Sequence, residues 1–231
     1  MSTPTRFPQG VTNASPGTAL GRFLAPDPGR MHVWFDDFDK YTAADWIINT
    51  TEAGTGSATE AISNADGGVL LITTDDADDD NDFFQWAKET FKFASGKKLW
   101  FKIRFQTSEA TQSDLAFGLQ ITDTTPLAVT DGVYFRKDDG DANIDFVVVK
   151  DSTATTATAA STLTAATWTE LAFYYDGQSS ITAYKDDVPI ATSVTTNLPD
   201  DEELTVSFAI QNGSAGAKTL SIDYILVAKE R

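Results

Sequence analysis

The feature that most constrains this chain is a series of short stretches in which apolar and polar residues alternate, separated by turn residues. The series begins near His32 and continues into the C-terminal region. In residues 99–105, Leu, Phe, Ile and Phe alternate with Trp, Lys and Arg, so the apolar side chains share one face of an extended strand. Similar short stretches follow at 117–121, 132–136, 144–149, 168–175, 180–184, 204–210 and 220–227. Pairs such as Asp176-Gly177 and Asn212-Gly213 separate several of them and indicate turns. Ten or more short strands with polar turns predict an all-β sandwich of two antiparallel sheets.

The composition agrees with a single sandwich domain. The chain has 231 residues, of which 41% are hydrophobic, and it includes 15 Phe. All-β sandwiches of this length commonly form one domain, and this apolar content is enough to bury a core. The chain has no cysteine, which excludes disulfides, thiolate nucleophiles and cysteine-ligated zinc.

The charge of the chain limits the classes of partner. The formal net charge is −17, and an acidic surface repels phosphate backbones, so we expect no nucleic-acid partner. No apolar run approaches the roughly 20 residues of a membrane span, and the first residues lack the apolar core of a signal peptide. The sequence therefore predicts a soluble product without a membrane partner, which is used or assembled in a cytoplasm.

Residues 1–31 differ in composition from the rest of the chain. They contain five of the 8 prolines, and proline fixes φ and removes a backbone donor, so this segment is unsuited to a central strand or a long helix. Three arginines against one aspartate make it mildly basic, whereas the remainder is strongly acidic. We predict an extended N-terminal arm over residues 1–31 and a β-sandwich domain over residues 32–231.

The arm also carries apolar side chains at intervals, which a plain spacer would not need. We predict that it lies across the surface of a partner, and the alternative is a segment that folds back on its own domain. The predicted contact residues are Arg6, Phe7, Pro8, Val11, Leu20, Arg22, Phe23, Leu24 and Arg30.

The order of strands in the second half of the chain resembles a known family. A stretch from Trp168 to an Asp-Gly turn is followed by 181–187, 204–212 and a closing strand at 220–227. This order resembles the concanavalin-A-like, laminin-G-type jelly roll and extends over about residues 33–231. The resemblance implies a two-sheet antiparallel jelly-roll sandwich, and it says little about function.

The whole layout also resembles the capsid decoration, or cement, proteins of tailed bacteriophages, in which a jelly roll decorates the head and a Pro-rich N-terminal arm contacts the capsid. The segments 6–11 and 21–26 match the arm anchors of that arrangement. The resemblance implies a non-enzymatic virion structural protein that binds the major capsid protein. It also implies a homotrimer located at the capsid surface of the virion and assembled in the host cytoplasm.

Few residues of the chain suggest catalysis. The sole histidine, His32, starts an apolar strand, which is an ordinary structural position. Glycoside hydrolases share the jelly roll, but their motif Glu-x-Asp-x-x-Glu is absent. We therefore predict that the chain is not an enzyme. A polysaccharide hydrolase stays an alternative, because two carboxylates could still meet in space about 5–10 Å apart.

A dense acidic block at residues 75–82 is the best candidate for a metal site. Ca²⁺ prefers carboxylate and amide oxygens, so we predict calcium ligands at Asp76, Asp78, Asp80 and Asp82, with a weaker candidate at residues 138–143. The alternative is a solvated acidic loop that discourages edge pairing. No other cofactor is expected.

A carbohydrate-binding, lectin-like module or phage adhesin is the alternative function. Lectins of this fold stack sugars on exposed aromatic side chains, and the sequence suggests Trp46, Trp86 and Tyr134 for this role. The other tryptophans, Trp34, Trp100 and Trp168, lie in strand patterns and are predicted to pack inside the sandwich.

Overall fold

The computed structural model describes residues 29–53, 56–65 and 67–231, which form fifteen strands and two single-turn 3₁₀ helices. The first strands are β1 (Met31–Asp36), β2 (Trp46–Thr51), β3 (Thr59–Ser63), β4 (Val69–Thr73) and β5 (Asn81–Trp86). The central strands are β6 (Leu99–Thr107), β7 (Ser113–Gln120), β8 (Gly132–Lys137), β9 (Asn143–Lys150) and β10 (Thr153–Thr162). The last strands are β11 (Thr169–Tyr175), β12 (Ser180–Lys185), β13 (Val188–Val194), β14 (Thr205–Asn212) and β15 (Thr219–Glu230). The predicted all-β class is confirmed.

The strands form two antiparallel sheets. Sheet A has the order β13-β12-β11-β6-β15-β4-β3, and β1 pairs in addition with β15. Sheet B has the order β10-β9-β8-β7-β14-β5-β2. Neighbours in space are often distant in sequence, as for β6 beside β15, which is the long-range pairing that a two-sheet sandwich requires.

The core lies between the two sheets, and the alternation read from the sequence builds it. On β6, Leu99, Phe101, Ile103 and Phe105 are at most 1% exposed and point towards sheet B. The ring of Phe105 lies 4.2 Å from that of Phe117 on β7, across the sandwich. Each large apolar side chain buried in this way stabilises the fold by about 1.5–3 kcal/mol.

Strand β15 joins the first and last parts of the domain. Its first half pairs with β4, and residues 225–230 pair with β1 on the same side. The pairing extends beyond the strands, since the backbone N–H of Arg231 donates to the carbonyl of Arg30 at 2.8 Å. The first strand therefore begins at Met31, one residue before the predicted start of the domain.

The predicted arm residues fall almost wholly outside the described ranges. This applies to Arg6, Phe7, Pro8, Val11, Leu20, Arg22, Phe23 and Leu24. The exception is Arg30, an exposed residue that precedes β1. Partner contacts of the arm therefore stay a prediction. Among the residues that are described, no helix has the length and hydropathy needed to cross a membrane.

Candidate functional site

The outer face of sheet B is covered by the chain's own loop of residues 121–131, which connects β7 to β8. The loop places Leu127 and Val129 over a second apolar cluster that is separate from the main core. On the sheet side this cluster consists of Phe83, Ala116, Tyr134, Val147, Val149 and Ala209. Tyr134 is only 2% exposed as a result, although it points away from the core. The loop therefore fills a sheet face that would otherwise be open to a ligand.

Two buried glutamines hold this loop in place. Gln85 donates from Nε2 to the carbonyl of Ile121 at 2.9 Å and accepts the backbone N–H of Asp123 at 2.7 Å. Gln120 donates from Nε2 to the carbonyl of Pro126 at 2.7 Å. Both glutamine side chains are inaccessible to solvent. Because buried amides are costly to leave unpaired, these hydrogen bonds favour the closed position of the loop.

Carboxylates are sparse on the outward positions of this face, where Asp145 of β9 lies opposite Arg136 of β8. On the outward positions of the described strands β5, β7, β8 and β14, Asp114 is the sole carboxylate. The two common mechanisms both require a pair of carboxylates on either side of the scissile bond. The neighbouring outward positions on β7 are Ala116, Gly118 and Gln120, which provide neither an acid nor a base.

The outer face of sheet A, in contrast, presents a group of rings that we call the aromatic face: the exposed Trp100 on β6 and the half-buried Tyr174 on β11 and Tyr184 on β12. Trp100 is 40% exposed. Its ring centroid lies 4.3 Å from that of Tyr174, with 29° between the planes, and 5.9 Å from that of Tyr184, with 36° between the planes. Tyr174 is the direct cross-strand partner of Trp100. The sheet therefore fixes the relative positions of three rings that differ only moderately in tilt.

A charged cluster lies beside the aromatic face. The Lys102 ammonium is 2.5 Å from Glu170 Oε1 and 3.0 Å from Asp187 Oδ1. Tyr224 donates its hydroxyl to the same Glu170 carboxylate. Burial alone would lower the pKa of Lys102, but the hydrogen bonds to Glu170 and Asp187 outweigh it and raise that pKa above its usual value. Lys102 is thus protonated, and its positive charge is balanced by the carboxylates of Glu170 and Asp187.

The positive charge of Arg104 is also balanced by a neighbouring carboxylate. Its guanidinium pairs with Asp223, and its central carbon lies 4.6 Å from the centroid of the Trp168 ring. This cation–π contact leaves Trp168 half-buried. The two cations of the face, Lys102 and Arg104, therefore both have acidic partners.

Two of the three predicted sugar-stacking residues, Trp46 and Tyr134, were wrong, and the role of Trp86 stays a prediction. Trp46 is 6% exposed and Tyr134 is 2% exposed, so neither can present a ring to a ligand. Trp86 is half-buried and packs edge-on against Trp34 at 5.4 Å. Trp100, which was predicted to pack inside, is instead the exposed ring. The alternation in residues 99–105 already placed Trp100 on the same face as Lys102 and Arg104, and that signal was sufficient to find it.

The four predicted calcium ligands do not converge. Asp76 and Asp78 are exposed, whereas Asp80 and Asp82 are buried. The Asp80 carboxylate accepts the backbone N–H groups of Ala53 and Ala77, each at 2.7 Å. Within the described ranges, no three Asp, Glu, His or Cys side chains are grouped so that they could hold a metal ion. The acidic block thus serves local backbone contacts, and calcium binding stays a prediction.

The second acidic stretch lines an open cavity of about 240 Å³ beside β8, β9 and β10. Its walls are formed by Asp138, Asp141, Asn143, Asp145, Thr158 and Ala159. Several of the carboxylates are occupied by local contacts: Asp141 accepts the N–H of Asn143 at 2.6 Å, and Asp145 accepts the N–H of Ala159 at 2.8 Å. The cavity is therefore a polar, acidic recess.

Asp82 has the most perturbed carboxyl group in the acidic block. It is inaccessible to solvent, and burial raises its pKa to about 7 even though Thr50 donates a hydrogen bond to it at 2.8 Å. Glu60 and Glu52 raise that pKa further by repulsion. Among the described residues, none forms a hydrogen bond with its Oδ2. Asp82 is therefore a buried acid that ionises near neutral pH.

His32 occupies a packing position, as its sequence context suggested. Its ring stacks on Phe91 with centroids 4.7 Å apart and 9° between the planes. Burial, together with nearby Arg231 and Lys229, lowers the pKa of His32. At neutral pH its imidazole is therefore mainly uncharged.

The strand order and the two packed sheets define a concanavalin-A-like jelly roll, and solved structures of that fold confirm the predicted fold class. One of them is an endo-1,3-beta-glucanase from Streptomyces sioyaensis, which is 15% identical over 90% of this chain and 99% of that chain, with a TM-score of 0.64. A protein of unknown function from Shewanella oneidensis MR-1 is 18% identical over 87% of each chain, with a TM-score of 0.59. The carbohydrate recognition domain of Emp46p is 9% identical over 83% of this chain and 93% of that chain, with a TM-score of 0.55.

No protein-family model matches the chain. A search of curated proteins also found no match. At identities of 9–18%, the structural likeness establishes the fold alone.

Proposed function

We propose that this chain is a non-catalytic carbohydrate-binding domain whose ligand stacks on the aromatic face. The observation that carries the proposal is the exposure of Trp100 in the middle of an ordered aromatic group. Large aromatic side chains on a soluble domain are normally buried, and an exposed ring held by a neighbouring ring provides the flat apolar surface on which the C–H groups of a sugar can pack. The adjacent Glu170 and Asp187 carboxylates supply acceptors for sugar hydroxyls.

Two further observations support this proposal. The 121–131 loop covers the second apolar cluster on the outer face of sheet B, Asp114 is the one outward carboxylate of β5, β7, β8 and β14, and Asp145 of β9 lies opposite Arg136, which together favour binding without catalysis. Among the similar structures, one is by name a glucanase and another a carbohydrate recognition domain, so the same fold serves proteins that handle glycans.

The test measures binding of soluble mixed-linkage β-glucan to the full chain by affinity electrophoresis and by tryptophan fluorescence. We expect Trp100→Ala to weaken binding at least about tenfold, or about 1.4 kcal/mol, because the largest ring of the face is removed. The matched control is Phe35→Ala, which removes another exposed ring, 56% accessible, from the same sheet but outside the aromatic face. Equal binding by Trp100→Ala and the unaltered chain, with both folded, would contradict the proposal.

A second candidate function is capsid decoration, in which residues 1–31 attach the domain to the major capsid protein of a phage head. One structural observation favours it: β1 directly follows the mildly basic N-terminal segment and exposes Val33 and Phe35, at 36% and 56%, on the outer face of sheet A. An apolar edge beside the arm would extend its contact area, and each large side chain buried there would add about 1.5–3 kcal/mol before ordering costs. A homotrimer on the capsid surface belongs to this same proposal.

The capsid proposal is tested with heads that lack the protein. The full chain is expected to bind such heads, and a chain without residues 1–28 is expected to lose binding, as judged by co-sedimentation. Trp100→Ala is the control here, because it removes the aromatic face and leaves the arm and β1 unchanged. If the shortened chain sediments with heads as well as the full chain does, the arm is not the attachment site.

A further inference from the structure

We infer that two copies of this chain associate through one side of the sandwich, which we call the uncharged side and which is formed by the edge strands β10 and β13. This inference goes beyond the proposed functions and depends on neither of them. It follows from the unpaired edges of these two strands, from the lack of charged residues along them and from two exposed valines.

The two edge strands lie side by side. β10 is the last strand of sheet B, β13 is the last strand of sheet A, and no other strand of the described residues pairs with either outer edge. Asn197, which follows β13, donates from Nδ2 to Oγ1 of Thr155 on β10 at 2.9 Å. At the other end Lys185, the last residue of β12, donates from Nζ to the carbonyl of Thr162 at 2.6 Å. One side of the domain therefore presents both edges together.

The first half of β10 has a free backbone edge. Its hairpin with β9 closes through the two-residue turn 151–152, where the φ angles are 50° and 63°, so Lys150 and Thr153 form the first hydrogen-bonded pair. The backbone groups of Ala154 and Thr156 therefore point away from β9. Natural edge strands are commonly protected by a charged side chain or a proline, and β10 contains neither. A second antiparallel strand can thus pair with this half of β10, before the bulge in its second half.

The charge pattern indicates which partner fits. Residues 152–169, which contain β10, and residues 188–199, which contain β13, include no charged side chain, although 22% of the chain is charged. The carboxylate of Asp145 does approach β10, but at the bulge, where it accepts the backbone N–H of Ala159.

A second copy of the chain is the partner that most needs such a surface. In a two-fold contact each residue near the axis lies close to its own copy, so a charge there would face a like charge. Two chains with a formal net charge of −17 repel each other, and an uncharged side is where they can approach most closely.

Val188 and Val194 of β13 add apolar area to the uncharged side. They are 61% and 59% exposed, which is more than any other large apolar side chain of the described residues. The ten residues of β10 span about 33 Å, and stacked sheets lie about 10 Å apart. With side chains on both flanks, the side covers about 600–700 Å², which is close to the roughly 800 Å² that each partner contributes to a stable interface.

The experiment measures the mass of the full chain in solution by sedimentation equilibrium over a range of concentrations. We expect a dimer, and we expect Thr156→Lys to weaken it at least about tenfold, because the two added charges face each other near the two-fold axis. The matched control is Thr51→Lys, which places the same charge at an exposed threonine of β2, the opposite edge strand of sheet B. A mixture of the Thr156→Lys and Thr156→Glu chains should associate again, because opposite charges then meet across the axis.

Three results would overturn the inference. The unaltered chain could stay monomeric up to its solubility limit, or it could form a trimer, the state that belongs to the capsid proposal. The third is a dimer that both Thr156→Lys and Val194→Asp leave as stable as the Thr51→Lys control does, because its contact surface would then lie elsewhere. Val194→Asp places its charge on the other edge strand, and it decides the question alone should Thr156→Lys not fold.

Discussion

Asp82 is an ionisable side chain that strand β5 places at the interior end of the sandwich. Its pKa is raised by burial to about 7, from 3.8 for an unperturbed aspartate. Below about pH 4 the Asp82 carboxyl group is protonated in both the folded and the unfolded chain, so it does not lower the stability of the fold. Between pH 3.8 and about pH 7, the two pKa values of this group, the folded chain binds more protons than the unfolded chain. The stability of the fold therefore falls as the pH rises through this range.

We expect Asp82→Asn to remove this fall in stability, because the amide keeps the shape of the side chain and cannot ionise. The full difference between about pH 4 and pH 8 corresponds to about 4 kcal/mol. The measurement is urea denaturation of both chains across that range. Asp176→Asn is the control: Asp176 is half-exposed and its pKa is lowered to about 2 by backbone N–H donors, so the fall in stability between pH 4 and pH 8 should persist. Parallel curves for Asp82→Asn and the unaltered chain would show that Asp82 does not titrate as described.

The tryptophans show which residue positions a sequence can reveal. Trp100 belongs to a long regular strand, and its exposure follows from the period of two in residues 99–105. Trp46 follows directly on the 3₁₀ turn Ala43–Asp45, so no alternation preceded it to set its direction. Its burial depends on a cluster drawn from distant parts of the chain, including Trp34, at 6.0 Å, and Phe208, at 5.0 Å. Such contacts exist only after the sheets have assembled.

At the scale of elements, the 121–131 loop is the segment whose role the sequence did not reveal. Its polar and Pro-containing composition is typical of a surface turn, and the strands on either side were predicted by their alternation. What places it over sheet B is a match between Leu127, Val129 and an apolar patch made of five different strands. A linear pattern contains no information about which face of a sheet a loop will cover.

We expect Gln85→Ala to loosen this loop, because the change removes the hydrogen bonds to Ile121 and Asp123 and leaves their backbone groups unpaired. The cost should be about 1–3 kcal/mol of local stability. Hydrogen exchange of the amides in residues 121–131 is the measurement, and they should exchange roughly 5–150-fold faster than in the unaltered chain. Gln211→Ala is the matched control, since Gln211 also faces outward on sheet B but bonds to Asp79. Unchanged exchange in Gln85→Ala would mean that apolar packing alone holds the loop.

At the scale of the whole molecule, the predicted division of the chain can be tested by truncation. Removal of residues 1–28 keeps β1 and all of its pairing with β15, so the melting temperature should stay within a few degrees of that of the full chain. Removal of residues 1–36 takes away β1 and the Trp34 ring that packs on Trp46, and should cost at least about 3 kcal/mol. If the shorter truncation is as damaging as the longer one, the N-terminal segment folds back on its own domain, which was the alternative to a partner-binding arm.

The fold as a whole was predictable because many weak local signals agreed. Alternation on most strands, turn residues between them and the absence of long helical periods all favoured one architecture, and the two sheets confirm it. Function was less accessible, since the jelly roll supports many activities. The aromatic face also depends on the pairing of β6 with β11, in which Trp100 faces Tyr174, 74 residues further along the chain. Attachment to a capsid and a trimeric state stay predictions from the layout of the sequence.

The pairing of Met31 with Glu230 brings the beginning of β1 and the end of β15 to the same edge of sheet A. A force that pulls these two ends apart therefore separates β1 from β15 one residue pair at a time. The six pairs never bear the force simultaneously. The rings of the aromatic face lie on strands that take no part in that pairing. Under tension the domain would lengthen by releasing its first strand, and the aromatic face would remain intact.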